Sequence, residues 1–129
     1  MKVLLKVLVI SFAFLLLGAC GVADGGKVTA RDVLKNNEDA DILMYNGFIY
    51  SNVTDLDWIQ EDKDNFSKGE HLGDIKKTTS SSFGFRNFYA TVLQEGTSIY
   101  SINEDEEGVG MILVEIDGEV LYYMQLLEG

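Results

Sequence analysis

Few side chains in this sequence could carry out nucleophilic chemistry. The 129 residues include one cysteine, Cys20, and one histidine, His71, which follows Glu70. A serine or threonine nucleophile would need His71 as its base, and the chain has no Gly-x-Ser-x-Gly segment that would hold such a serine. One imidazole and one thiol are also too few for an ordinary hydrolytic zinc site. We therefore expect no catalytic residue, no cofactor and no resident metal.

One acidic run has a spacing that could bind a divalent cation. Asn103, Asp105 and Glu107 occupy the first, third and fifth positions of an EF-hand-like loop. The twelfth position, where such a loop needs a bidentate glutamate, is Val114. The three residues are therefore candidates for weak cation binding, and the alternative is a plain solvated acidic loop.

The densest aromatic cluster covers residues 83–89. Phe83 and Phe85 alternate at strand spacing, and Arg86 supplies one positive charge beside them. Exposed aromatic side chains with an arginine are typical anchors of protein contacts, so these three residues are candidates for partner binding. The alternative is that the aromatic side chains form sheet core and loop cover.

The charge balance excludes one class of partner. The chain has 21 Asp and Glu against 10 Lys and Arg, which gives a formal charge of −11. Nucleic acid phosphates would be repelled by such a surface, so no nucleic acid is expected as a partner. A single cysteine cannot form a disulfide framework, and the length suits one ordinary domain.

The start of the sequence has the pattern of an export signal. Lys2 and Lys6 form a basic head, and the uncharged residues 7–17 form a mainly apolar run. This run suits the central region of a signal peptide, whereas a membrane-spanning helix needs roughly 20 apolar residues. We expect residues 1–19 to be a signal peptide outside the folded domain.

Leu17, Gly18, Ala19 and Cys20 follow this run, and they resemble the lipobox of bacterial lipoproteins. The resemblance implies that the Cys20 thiol receives diacylglycerol and that cleavage then leaves Cys20 as the new N-terminus. It also implies a lipid-anchored protein on the extracytoplasmic face of the cell membrane. The alternatives are an ordinary signal peptide cut after Ala19 and an uncleaved anchor with an incidental cysteine.

Lipidation would make the anchor permanent and leave the mature domain strongly acidic. Two acyl chains give stable membrane attachment, whereas one chain binds only reversibly. Removal of residues 1–19 leaves 8 basic and 21 acidic side chains, a formal charge of −13. We therefore expect anionic headgroups to repel the mature domain as a whole. The small residues that follow the cysteine predict a flexible tether over residues 20–27 and a single domain over residues 28–129.

Two short helices are predicted from capping patterns. Thr29 precedes Asp32 at the spacing of a capping box, which predicts a helix to about Asn36. Thr54 and Asp57 repeat that spacing and predict a second helix over residues 55–60.

Two hairpins are predicted from paired turn residues. Asn46-Gly47 and Asp117-Gly118 each separate two β-prone runs, and such pairs favour type I′ turns. For the second hairpin this predicts the register Ile116 with Glu119, Val114 with Leu121, and Ile112 with Tyr123. Both of its faces are largely apolar, so we expect it to lie centrally in a sheet and to be covered on both sides.

Further strands are predicted over residues 71–78, 85–93 and 97–102, with a turn at residues 94–96. Together these elements predict an α+β domain with a small, mostly antiparallel sheet or partial barrel and two short helices.

The mature region is also similar to small uncharacterised lipoproteins of low-GC Gram-positive bacteria. The resemblance is carried by the segment from Asp41 to Gly47, by Gly96-Thr97-x-Ile99-Tyr100 and by the hairpin at Asp117-Gly118. It implies no mechanism. The sequence therefore predicts a lipid-anchored envelope module that binds a protein or peptide, and the alternative is a lipoprotein that binds a small ligand or a divalent cation.

Overall fold

The computed structural model describes residues 27–102 and 110–127, which form two short helices and eight strands. In chain order the elements are α1 (Ala30–Asn36), β1 (Ile42–Tyr45), β2 (Phe48–Asn52), α2 (Asp57–Asp62) with a 3₁₀ turn (Lys63–Asn65), β3 (Lys68–Asp74), β4 (Lys77–Thr78), β5 (Tyr89–Ala90), β6 (Ser98–Ile102), β7 (Met111–Ile116) and β8 (Glu119–Gln125).

All eight strands belong to one sheet with the order β3-β6-β7-β8-β2-β1-β5-β4. Every pairing is antiparallel except that of β4 with β5. The consecutive strands β3 and β4 lie at opposite edges of this order, so the sheet is curled into a half-barrel. The predicted small α+β fold with a mostly antiparallel sheet and two short helices is confirmed at this level.

Both predicted hairpins are present. Asn46 and Gly47 have φ values of 52° and 83°, and Asp117 and Gly118 have values of 50° and 83°, as type I′ turns require. In the second hairpin, the register is the predicted one along the whole length of β7, from Met111 opposite Met124 to Ile116 opposite Glu119. This hairpin lies between β6 and β2, which confirms its predicted central position.

The curled sheet is packed on both faces because its strands alternate apolar side chains. One cluster lies on the face opposite the helices: Leu43, Tyr50, Ile75, Ala90, Leu93, Ile99, Ile112, Val114 and Tyr123. On the other face, Ile59 of α2 packs with Ile102, Leu113 and Tyr122, and Ala30 of α1 packs with Ile42 and Ile49. The predicted covering of the second hairpin on both faces is therefore confirmed.

The two helices start differently from one another. Helix α1 has the predicted capping box: Thr29 Oγ1 accepts from the Asp32 N–H at 3.1 Å, and Asp32 Oδ2 accepts from the Thr29 N–H at 3.2 Å. These hydrogen bonds lower the pKa of Asp32. Helix α2 starts at Asp57, later than predicted, and has no side-chain cap. Thr54 does not cap it because its hydroxyl donates to Asn52 Oδ1 at 2.6 Å and accepts from the Tyr122 N–H at 2.9 Å.

Two of the remaining strand predictions need correction. The run 71–78 is split, because β3 already begins at Lys68 and ends at Asp74 before β4 begins at Lys77. The predicted strand over 85–93 is reduced to Tyr89–Ala90, because Phe88 has a φ of 69° and breaks the extended backbone. The prediction over 97–102 is confirmed as Ser98–Ile102, and the turn before it is closed by the Thr97 N–H donating to the Gln94 carbonyl.

Candidate functional site

Residues 79–88, called the aromatic loop below, connect β4 to β5 and contain the predicted partner contacts. The Phe83 side chain is 93% exposed. Phe85 is half-buried, packs against the cluster under α1, and meets the Tyr89 ring edge-on at 6.0 Å between centroids. The Arg86 guanidinium lies 5.8 Å from the Tyr89 ring centroid. The structure thus brings Phe85 and Arg86 together on Tyr89 and leaves Phe83 in solvent.

The aromatic loop is tied to the first hairpin and to itself by hydrogen bonds. Asn87 Oδ1 accepts from the Gly47 N–H at 2.8 Å, and the Phe88 N–H donates to the Met44 carbonyl at 2.7 Å. Near the tip, Ser81 Oγ accepts from the Phe83 N–H at 3.2 Å. Phe83 therefore projects from a loop whose base is fixed to the sheet.

Phe88 closes the loop in a left-handed backbone conformation that is unfavourable for a bulky residue. Its ring packs edge-on against Tyr45 at 5.8 Å and covers Gly73 so closely that a Cβ on Gly73 would lie 2.4 Å from Phe88 Cε1. Such strain persists only where the surrounding structure determines the conformation, and it is concentrated at functional segments.

Three lysine side chains, in addition to Arg86, lie on aromatic rings around the aromatic loop. Lys76 Nζ lies 5.2 Å from the Phe88 ring centroid, and Lys77 Nζ lies 5.8 Å from the Tyr89 centroid. Lys27 Nζ lies 4.7 Å from the Phe48 centroid, next to the first hairpin turn. All four cations have exposed side chains. Together with Phe83 they are called the basic aromatic surface below: Lys27, Lys76, Lys77, Phe83 and Arg86.

Apart from Lys27, the basic aromatic surface belongs to a segment that contains no carboxylate and that lies beside a second such segment. Residues 42–54 and 75–94 include no Asp or Glu, although the chain has 21 of these residues. The pairing of Leu43 with Ala90 places the two segments side by side. Sequence reasoning counted Arg86 as the one cation near the phenylalanines and missed the lysines. The acid-free run 75–94 was the signal that could have found Lys76 and Lys77, whereas the proximity of Lys27 depends on the fold.

A second surface has the opposite charge. Leu56 and Trp58, at the start of α2, are 45% and 42% exposed. The exposed carboxylates of the same segment complete what is called the acidic helix surface below: Asp55, Leu56, Asp57, Trp58, Glu61, Asp62 and Asp64. The helix is held in place by Ile59, which is fully buried against Leu113 and Tyr122.

His71, Asp74 and Ser98 lie together, but their side chains are connected in an order that does not activate the serine. His71 Nε2 lies 2.8 Å from Asp74 Oδ1, and the Ser98 hydroxyl donates to the same oxygen at 2.7 Å. The hydrogen bond from Ser98, followed by that of His71, lowers the pKa of Asp74. In a hydrolase triad the histidine stands between the serine and the carboxylate, whereas here the carboxylate stands between the other two. His71 is thus an exposed residue of the edge strand β3.

The remaining predicted site residues lie outside the described residues: Cys20, and Asn103, Asp105 and Glu107 of the possible cation loop. Their roles stay predictions. Within the described residues, no group of three or more His, Cys, Asp or Glu side chains could hold a metal ion. Neither helix of the described ranges is long and apolar enough to span a membrane.

No protein family model, no curated protein and no solved structure matches this chain.

Proposed function

We propose that this protein is a lipid-anchored interaction module of the bacterial cell envelope, which binds a protein or peptide partner without chemical conversion of it. In this proposal residues 1–19 are a signal peptide, Cys20 carries the lipid, and residues 20–27 form the tether. The domain over residues 28–129 then lies on the extracytoplasmic face of the cell membrane.

The observation that supports partner binding is the exposed indole of Trp58 within the acidic helix surface. Trp58 and Leu56 are the apolar side chains of this surface, and carboxylates lie on both sides of them in the sequence. A tryptophan that becomes fully covered is a frequent hot spot of protein interfaces because it buries a large apolar area. Surrounding charges add specificity and increase the rate of association. The surface therefore fits a basic partner with an apolar pocket.

The position of Trp58 is fixed before any partner binds. Ile59, the next residue, is fully buried, and the Gln60 side-chain amide donates to the Thr54 carbonyl at the strand end. Because the helix is already ordered, binding would not need to order this backbone, and less of the contact energy would be lost.

Photo-cross-linking in native membranes tests this proposal. A photoreactive amino acid replaces Trp58 in one variant and Val92, which is 53% exposed, in the matched control. We expect a specific cross-linked protein from position 58 only. Charge reversal of Glu61, Asp62 and Asp64 to lysine should remove the product, because it reverses the field that attracts a basic partner. Equal yields from both positions, or a yield indifferent to the charge reversal, would contradict the proposal.

A further inference from the structure

We infer that the basic aromatic surface docks onto the anionic lipid bilayer in which Cys20 is anchored. Phe83 then enters the headgroup region, and the cations Lys27, Lys76, Lys77 and Arg86 lie against lipid phosphates. This inference rests on the proposed lipid anchor and extends it, because it specifies which side of the domain faces the membrane.

The tether ends at this surface. Seven residue steps separate Cys20 from Lys27, and an extended chain of that length spans at most about 25 Å. Lys27 is itself part of the surface, since its ammonium group lies on the Phe48 ring beside the turn at Gly47. A lipid on Cys20 therefore keeps this side of the domain within a short distance of the bilayer, at a high effective concentration.

Contacts around the first hairpin connect the rings on which the cations lie, with Phe48 and Phe88 on one face of the sheet and Tyr89, which packs on Phe85, on the other. Phe48 pairs with Tyr45 across the hairpin, and the Tyr45 ring packs on Phe88, which lies under Lys76. Tyr89, the next residue in the chain, lies under both Lys77 and Arg86. None of these four cations forms an ion pair with another described residue, so their charges are available to anionic headgroups.

Local charge should dominate over the net charge when the domain touches the bilayer. Electrostatic interactions in water are screened over about 10 Å at 0.1 M salt, so distant carboxylates contribute little at the contact. Residues 42–54 and 75–94, which include Lys76, Lys77, Phe83 and Arg86, contain no carboxylate. Repulsion by the acidic domain as a whole, expected from its composition, would then turn the acidic helix surface away from the lipid.

The apolar part of the surface suits a bilayer interface. Phe83 is 93% exposed at the tip of the aromatic loop, where its neighbours are small serine and glycine residues. Leu127, which is 73% exposed, forms a β-bridge with Lys27. Exposed apolar side chains flanked by cations are the composition of interfacial membrane contacts. An acidic peptide would match the cations too, but it would not account for the position of this surface at the end of the tether.

Fluorescence quenching by brominated lipids tests the inference on the full, lipidated chain. The protein is purified from bacterial membranes and reconstituted into phosphatidylcholine vesicles with or without phosphatidylglycerol, with bromine on the acyl chains. The double variant Trp58→Phe, Phe83→Trp carries its one indole in the aromatic loop. The controls are the wild type, with its indole on α2, and the double variant Trp58→Phe, Val92→Trp.

We expect the indole at position 83 to be quenched in vesicles with phosphatidylglycerol, and the indoles at 58 and 92 to be quenched several-fold less. Added salt, or the triple change Lys76→Gln, Lys77→Gln, Arg86→Gln, should reduce the quenching at position 83 to that of the controls. Equal quenching without phosphatidylglycerol would contradict the charge recognition.

Failure of the inference and failure of the anchor give different results. The mass of the N-terminal peptide shows whether Cys20 carries a diacylglyceryl group, and its absence would contradict the anchor together with the inference that rests on it. An indole at position 83 that stays unquenched in lipidated, vesicle-bound protein would contradict the docking alone. If a photoreactive residue at position 83 then cross-links a protein in native membranes, the aromatic loop contacts a protein instead of lipid.

Discussion

Phe88 holds a backbone conformation that its residue type disfavours, and a single glycine makes this possible. The ring occupies the space that a side chain on Gly73 would need, and Gly73 itself has a φ of 153°. Gly73 lies on β3 and Phe88 lies in the aromatic loop, so no local sequence pattern connects them. For this reason the sequence predicted Phe88 within a strand, whereas the structure places it at the turn that brings the aromatic loop back to the sheet.

Gly73→Ala should destabilise the domain by about 3 kcal/mol, because a methyl group there overlaps the Phe88 ring and the backbone conformation is unfavourable for alanine. The matched control is Gly96→Ala, at a φ of 88° with no atom within 4 Å of the added Cβ. Gly96→Ala should lower the free energy of unfolding by only about 1 kcal/mol, because alanine disfavours the positive φ. Urea unfolding of both variants measures the difference. Equal losses would show that Phe88 moves aside freely and that the aromatic loop is not fixed by this contact.

The elements that could be predicted are those whose determinants are local. The capping box at Thr29 and the turn pairs at Asn46-Gly47 and Asp117-Gly118 need only neighbouring residues, and all three are present as predicted. The start of α2 was predicted too early because Thr54 bonds to Tyr122, which is 68 residues away. Strands β3 to β5 were misjudged for the same reason, since β4 and β5 are two-residue strands that depend on distant partners.

Gly118→Val should destabilise the domain by more than about 1 kcal/mol, because the second position of a type I′ turn needs a positive φ that β-branched residues resist. No atom lies within 4 Å of a Cβ at this position, so the loss of stability comes from the backbone conformation and not from steric crowding. The control Gly118→Asn should cost less, because asparagine tolerates the left-handed region. Thermal unfolding compares the two variants. A valine variant as stable as the asparagine variant would show that this turn does not limit the stability of the central hairpin.

Charge is unevenly distributed over the described residues, and under the proposed docking that distribution would orient the domain at the membrane. Composition alone predicted an acidic body that anionic lipid repels, and Phe83 and Arg86 could be singled out from their spacing. The clustering of Lys27, Lys76 and Lys77 around that loop depends on strand pairing between residues distant in sequence. A basic region beside the tether and an acidic helix surface elsewhere would let one domain face the membrane and a partner at the same time.

This arrangement depends on attachment at Cys20, and Cys20→Ala tests that attachment directly. Metabolic labelling with a fatty acid should label the wild type and leave the variant unlabelled, because the chain has no other thiol to accept the diacylglyceryl group. Phe83→Ala is the control and should keep its label, since it changes the proposed docking surface and not the lipidation sequence. Label that persists in Cys20→Ala would exclude the lipobox interpretation. An unlabelled wild type would exclude it as well, and the docking of the basic aromatic surface would then lose the anchor on which it rests.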